Sequence, residues 1–506
     1  MAFLIFLTKV FLFSSQTNYG VKLKKLIIIT SPLYVRNYVG TGAFDKIKDE
    51  NTFIACSSDE ITDKTSLVND SNFVGEFESS NLNKSLFSFF TLLLMYSNRK
   101  LNKGFYFYFK LRNTTIYYPS IRLKNKAQKW FSSKFLQRYT IFVLELLRPF
   151  FHPMRLFKFC LIVTIDFFRL TNKLVKLNNL LLINNRELIK IIERVQPDIV
   201  LMPNGGLDPN AHEVIALSKK FNFKTMLLID NWDNLCSKSR FLIEPDFLGV
   251  WGDQAKSHAE KFHEIDNSRV FLTGTPRYDV YQSYKKNELL LREKYQKELD
   301  FPYILFAGCW PQFDEIHVLE VLDGIIEKYK KLLPDNCKIL YRPHPWGENY
   351  DKLDFLREKK LNNIAIDPQM AQKSRPADWT RRIDFQPDLD YYPILLDKSE
   401  FVICPLSSIV IEASIMGKKV LALAHDDEKS FLTPSMMYKN SDYFDGLSEL
   451  NSVKLLDKIK NLDDLFNQII TTDMQIDRKA LSYFIVDDSQ LYPDRIASVC
   501  DKLNIN

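Results

Sequence analysis

Cysteine pairs, glycine-rich nucleotide loops and membrane-length apolar runs are all missing from this 506-residue chain. Its seven cysteines are an odd count without a C-x-x-C pair, and several fall in apolar, strand-like runs. That argues against a disulfide frame and against a zinc site, and predicts reduced, buried thiols in the cytoplasm. No G-x-G-x-x-G or Walker A sequence occurs, and Gly205-Gly206 is too short for a dinucleotide fingerprint. Neither a nicotinamide cofactor nor ATP-driven chemistry is expected. Met1 to Phe13 is apolar but short for a span and is interrupted by Lys9. It also lacks the charged start and small-residue cleavage site of a secretory signal. Residues 1–24 are therefore expected to be a leader of uncertain status outside the folded protein. There is no internal repeat, low-complexity tract, heptad run or recognised nucleic-acid motif, and nucleic acid is not expected as a partner.

What is present is a regular alternation of short apolar runs and helical segments, the pattern of parallel α/β domains. Strands are expected at Leu26–Thr30, Asp198–Met202, Thr225–Ile229, Phe247–Val250 and Val270–Thr273. A second series follows at Tyr303–Ala307, Lys338–Tyr341, Asn363–Ile366, Phe401–Cys404 and Val420–Leu423. The length suits two domains. The charged helix and linker around residues 285–301 form the natural boundary, giving an N-terminal domain over 25–286 and a C-terminal domain over 300–506.

Charge is uneven. Between Lys84 and Lys190 there are 20 Lys and Arg against 3 acids, a net of +17 on a chain of +6, so the rest carries −11. Aromatics crowd the same segment, as in FYFYFK and RPFFHPMRLFKF. Residues 84–190 read as a basic helical insertion in the first domain. It suits an anionic membrane surface, or is simply a region with an aromatic core and solvated lysines.

The unusual residues sit just after the strands, in PNGGLDPNAHE, DNWDNLCSK, GTPRYD, GCWPQFDE, RPHPWGEN and PLSSIVIE. Open parallel sheets bind ligands at the carboxyl ends of their strands, so these loops imply one cleft between two doubly wound domains. In the last loop Ser407 and Ser408 open a helix, whose free N–H groups and dipole suit a phosphate. Glu412 lies four residues on, where it can accept from sugar hydroxyls. An ordinary N-cap followed by a surface Glu is the alternative. Asp388-Leu389-Asp390 has the D-x-D spacing of a metal–nucleotide site but precedes a helix, and a helix start is the better reading. No metal is expected.

The trio GTPRYD (Gly274 to Asp279), YRPHP (Tyr341 to Pro345) and CPLSSIVIEASIMGKKV (Cys404 to Val420) resembles bacterial surface-polysaccharide transferases of the GT-B type. Within that group the resemblance is to the CDP-glycerol glycerophosphotransferase family and to capsule polysaccharide transferases. It covers about Gly274 onward, plus the strand order before it. The nonhydrolysing UDP-N-acetylglucosamine 2-epimerases share the fold and a similar helix. The resemblance implies two Rossmann-like domains facing across a cleft, no cofactor, and a nucleotide-activated donor on the C-terminal domain. A glycan or lipid-linked acceptor is implied on the N-terminal side, with the protein cytoplasmic or peripheral on the inner membrane face.

On that reading Arg277 forks phosphate oxygens, while Asp279 orients it or caps the turn, and Arg342 with His344 neutralises or protonates the leaving diphosphate. Ser407, Ser408 and Glu412 hold the rest of the donor. Trp232 is a stacking ring for an acceptor sugar, flanked by Asp230 and Asp233. The acceptor passes Asn204, Asp208 and His212. An inverting transfer needs a base, for which Asp230 and Asp233 are the first candidates and Asp208 and His212 the next. A capping role for Asp233 is the competing reading. The fold expected is α/β, of GT-B type. The function expected is transfer of a sugar or related unit onto a surface glycan. A 2-epimerase, a glycerophosphotransferase and a non-catalytic scaffold stay open.

Overall fold

The computed structural model describes residues 23–112, 153–180, 185–309, 313–345, 350–359, 361–371, 386–427, 433–474 and 477–504, with a few more between 133 and 143. The expected leader lies almost wholly outside them.

Among the described residues thirteen strands form two all-parallel sheets. The first contains β1 (Lys25–Ile29), β2 (Thr52–Ser57), β3 (Phe73–Phe77), β4 (Ile199–Asn204), β5 (Lys224–Ile229), β6 (Phe247–Val250) and β7 (Val270–Leu272), in the order 3-2-1-4-5-6-7. The second contains β8 (Tyr303–Ala307), β9 (Lys338–Arg342), β10 (Ile364–Ile366), β11 (Ser399–Pro405), β12 (Val420–Leu423) and β13 (Val453–Leu456), in the order 10-9-8-11-12-13. Both are the doubly wound arrangement, with the chain reversing direction beside its first strand. The sequence explains the central strands directly. KLIII, TMLLI, YILFA and VLAL are mainly apolar runs buried on both faces, as helices on either side of a parallel sheet require.

The sequence reading omits β2, β3 and β13. The edge strand β3 is FVGEF, with Gly75 and a half-buried face, so it carries neither a continuous apolar run nor clean alternation. Two helices link the two units, each built around one sheet. Helix Asp279–Tyr295 packs on the second unit: Tyr284 Oη donates to Asp397 Oδ2 at 2.8 Å, and Tyr295 Oη donates to Asp390 Oδ1 at 2.7 Å. The last helix, Tyr492–Asn504, crosses back, burying Tyr492, Ile496 and Val499 in the core under β1 and β2. Asp279 holds this return. It accepts from the Tyr492 N–H at 2.8 Å and lies 3.8 Å from Arg495, so it does not orient Arg277 as expected. Asp388 and Asp390 likewise are engaged by Lys294 and Tyr295.

Between β3 and β4 the described residues of the basic region are helical: Asn81–Ser97, Lys103–Arg112, Pro153–Phe167 and Thr171–Leu180.

Burial gives the fold two opposed responses to acid. It holds His212 and His263 at about 4 and His258 at about 3, below the ordinary 6.5. The unfolded chain takes up these protons as pH falls through 6.5, whereas the folded chain does not until about 4, so stability is lost across that window. Asp208 and Asp279, raised by burial to about 6, act in the opposite sense, because the folded chain protonates them first. Asp230, Glu213 and Asp367, also raised by burial, join the second set, so the histidines and the carboxyls oppose each other as pH falls from 6 to 4.

Candidate active site

All six loops singled out in the sequence reach one cavity of about 750 Å³ between the two sheets. Each contributes at least one lining residue: Gly205, Asp230, Arg277, Gly308, Arg342 with His344, and Ser407 with Ser408. Two glycines are fixed by this geometry. Gly274 has φ +71° at the start of GTPRYD, and a Cβ there would lie 2.9 Å from Val486. Gly308 donates its N–H to the Arg342 carbonyl at 2.8 Å, and a Cβ there would lie 3.2 Å from the His344 nitrogen. The loops after β8 and β9 are thereby drawn together.

Two arginines face the cavity from opposite sides. Arg277, from the first unit, stacks 5.1 Å over Trp251 and 5.2 Å over Tyr278, and donates to Asn231 Oδ1 at 3.4 Å. Arg342, from the second, is buried and lies 4.6 Å over Tyr392. The Nε of each makes no hydrogen bond among the described residues, and that of Arg342 lies 3.8 Å from the buried carboxylate of Asp367. Two guanidinium groups in the wall of one cavity suit an anionic ligand, which can take their remaining N–H groups. Burial alone would weaken Arg277 as a cation, but Tyr278, Glu412 and Asp230 outweigh it and keep the guanidinium charged.

Asp230 closes the same space. It is buried, lines the cavity and accepts from Asn37 Nδ2 at 3.3 Å. Burial raises its pKa, while the nearby Arg277 charge and the Asn37 bond restrain the rise. A carboxylate so placed can take a proton from an alcohol and release it to solvent before the next cycle. His344 lines the wall beside it, half-buried between its two prolines.

Several expected site residues prove structural. Asp233 accepts from Ser237 Oγ at 2.7 Å and pairs with Lys238 at 3.1 Å; it stands at the N-cap position of helix Asn234–Ser237, but its side chain caps no backbone N–H. Trp232 touches the cavity, but its ring is clamped edge-on by Tyr443, Phe444 and Phe484 at 5.2, 5.7 and 5.9 Å. It therefore pins the two units together, and no free face is left for a sugar. Asn204 accepts from the Gly206 N–H at 2.5 Å and does not line the cleft. Asp208 caps helix Pro209–Phe221 and accepts from Thr30 Oγ1 at 2.5 Å. His212 is buried against Phe87, its Nε2 2.9 Å from Asn179 Oδ1. Neither Asp208 nor His212 lines the main cavity.

The Ser408–Glu412 spacing does put both on one face, and Ser408 Oγ donates to Glu412 Oε1 at 3.0 Å. The carboxylate is not open to sugar hydroxyls, however. Tyr281 Oη donates to Oε2 at 2.5 Å and Tyr278 Oη reaches Oε1 at 3.4 Å, which ties the two units together. The helix that follows runs only from Ile409 to Ile415. Ser408 spends its hydroxyl on Glu412, with no side-chain cap bond. Glu412→Ala should thus strand two tyrosine hydroxyls and destabilise the protein by roughly 1–3 kcal/mol for each one lost. Urea denaturation measures this, and an unchanged midpoint would return Glu412 to ligand binding.

Sequence reading misses Ser31, Tyr34 and Arg36, which line the cavity after β1, and Tyr108 and Leu111 from helix Lys103–Arg112. Arg36 donates to Gln386 Oε1 at 3.1 Å and to the Pro387 carbonyl at 2.6 Å, a further link across the units.

A doubly wound pair with its polar loops on one cleft defines the architectural class, GT-B type α/β. The sequence narrows it further. Residues 224–374 match the family described as CDP-Glycerol:Poly(glycerophosphate) glycerophosphotransferase. The resemblance read from the motifs is thereby borne out, with GTPRYD and YRPHP inside the matched stretch and the Ser407–Ser408 segment beyond it. The teichoic acid glycerol-phosphate primase of Bacillus spizizenii is 24% identical over 224 residues, 44% of this chain and 52% of that protein. The chain thus spans about half the length of the curated relative it matches. Among solved structures, the UDP-GlcNAc 2-epimerase of Methanocaldococcus jannaschii, in complex with UDP-GlcNAc and UDP, aligns at 12% identity. The alignment covers 95% of this chain and 100% of that one, at a TM-score of 0.49. A wall teichoic acid polymerase aligns at 13% identity over 61% of this chain and 89% of its own, at a TM-score of 0.37.

Proposed function

We propose that this protein transfers a polyol-phosphate unit from a CDP-linked donor, CDP-glycerol in the first instance, onto the growing end of a surface polymer. The observation that carries the reading is that Arg277 and Arg342, one from each unit, line one cavity together with Asp230. The family match over 224–374, which contains both arginines and Asp230, supplies the substrate class.

In the reaction, the acceptor hydroxyl oxygen bonds to the phosphorus that carries the glycerol. The bridging P–O bond breaks, and CMP departs with its electron pair. Asp230 receives the hydroxyl proton. Arg277 and Arg342 meet the charge that grows on the phosphoryl oxygens and on CMP, and His344 stands beside the departing phosphate to donate to it. Oriented cations in a water-poor cleft are worth more than in solution, which is where such sites gain most of their rate. Donor sugars linked to UDP present the same diphosphate, so the cytidine and glycerol ends must set the preference.

The test is CMP release from CDP-glycerol, with and without a glycerophosphate-primed lipid acceptor. Acceptor-dependent CMP release is expected. Turnover of UDP-N-acetylglucosamine with no acceptor would instead identify an epimerase, and acceptor-dependent UDP release a glycosyltransferase.

A further inference from the structure

Asp367 is fully buried and does not line the cavity, yet it sits against one of the two arginines that do. It follows β10 directly. Ile366 of that strand pairs with Tyr341 of β9, and the Asp367 N–H donates to the Tyr341 carbonyl at 2.9 Å. Arg342 is the next residue on β9, so the register of two parallel strands brings the acid and the arginine together at their carboxyl ends.

One carboxylate oxygen is fully engaged. Oδ1 accepts from Tyr391 Oη at 2.8 Å and from the Gln369 N–H at 2.9 Å. Oδ2 has no hydrogen bond among the described residues and lies 3.8 Å from Arg342 Nε, which has none either. Among the described residues Arg342 is the only cation paired with this carboxylate. Burying a carboxylate without an opposing charge is costly, so the two groups are matched. The other side of the guanidinium is also held. Its Nη2 donates to Tyr392 Oη, and the group lies 4.6 Å over that ring. Tyr391 and Tyr392 are consecutive residues at the start of helix Tyr391–Asp397, so one point of the chain fixes both the acid and the arginine. Tyr391 is itself buried, its ring 5.0 Å from that of Tyr295.

We propose that Asp367 is a positioning residue for Arg342. Its carboxylate holds the Nε edge from outside the cavity while Tyr392 holds Nη2, which leaves Nη1 for the phosphate of a nucleoside diphosphate. This role rests on the donor site proposed above and adds to it the group that aims one of its two arginines. A guanidinium already fixed along one edge loses less freedom when it grips phosphate than a loose one does. Burial would weaken Arg342 as a cation, but Tyr392 and Asp367 outweigh it, so the aimed group stays charged.

The test is calorimetric titration with CDP of Asp367→Asn and Tyr391→Phe, each with and without Arg342→Ala, beside wild type and Arg342→Ala alone. Asn keeps the shape and the contacts with Tyr391 and Gln369 but removes the charge that opposes Nε. Asp367→Asn is expected to weaken CDP binding about tenfold when Arg342 is present and less than about twofold when it is absent, as coupled neighbours do. Tyr391→Phe removes one of the two bonds on Oδ1 and should give a smaller loss with the same dependence on Arg342. It carries the test should the Asn variant fail to fold. The kcat/KM for CMP release should fall in parallel. A merely structural acid would weaken binding equally in both arginine backgrounds, so equal losses overturn the proposal. CDP affinity unchanged or raised in both variants overturns it as well. Wild-type affinity in Arg342→Ala would instead remove Arg342 from the donor site, and the positioning role would fall with that reading.

Discussion

Asp230→Asn is expected to lower kcat by about 10²–10⁴-fold while leaving donor affinity unchanged, the usual worth of a positioned general base. The substitution keeps the shape and the contact with Asn37 but removes the basic oxygen. The pH profile provides an independent sign. Burial raises the Asp230 pKa, so the acidic limb of wild-type activity should lie above the ordinary aspartate range. Activity is present above that pKa and lost as pH falls through it. The Asn variant should retain a low rate with no such limb. Asp233→Asn, by contrast, should act mainly on stability, because its carboxylate is tied to Ser237 and Lys238. Equal rates in wild type and Asp230→Asn would remove the base from this loop.

Arg277→Ala should cost about 10²–10³-fold in kcat/KM, the loss typical of removing one oriented charge-stabilising donor. Arg277→Lys should recover little of it. The guanidinium lies over Trp251 and Tyr278 in the cavity wall, and an ammonium on a flexible stem reproduces neither the stacking nor the fork. Steady-state kinetics at varied donor concentration measure both variants. Full activity of the lysine variant would mean that Arg277 supplies charge alone.

These roles were partly legible in the chain. The rule that ligands gather at the carboxyl ends of parallel strands takes the six loops to one cavity, and β8 and β12 begin and end where the sequence sets them. Spacing correctly puts Ser408 and Glu412 on one face. It cannot show that Tyr278 and Tyr281, about 130 residues earlier in the chain, would occupy that carboxylate. The same limit applies to Trp232, whose neighbours Tyr443, Phe444 and Phe484 come from distant segments. Asp208 and His212 were misplaced because a strand-to-helix loop has two sides, and only packing against Thr30 and Phe87 decides which side faces the ligand. The loop after β1 was missed for a topological reason. Ser31 to Arg36 contains no unusual run, and its importance comes from lying between β1 and β4, where the chain reverses. With β2 and β3 unrecognised, that reversal was invisible.

The most direct test of one anion site built from both units is a calorimetric double-mutant cycle with CDP as ligand. Wild type, Arg277→Ala, Arg342→Ala and the double variant would each be titrated. If both guanidinium groups grip one diphosphate, each single change weakens CDP binding at least tenfold. The double variant should then lose less than the sum of the two, because neither arginine acts independently of the other. CDP affinity unchanged in both single variants would contradict the account, since the two guanidinium groups would then serve something other than the donor.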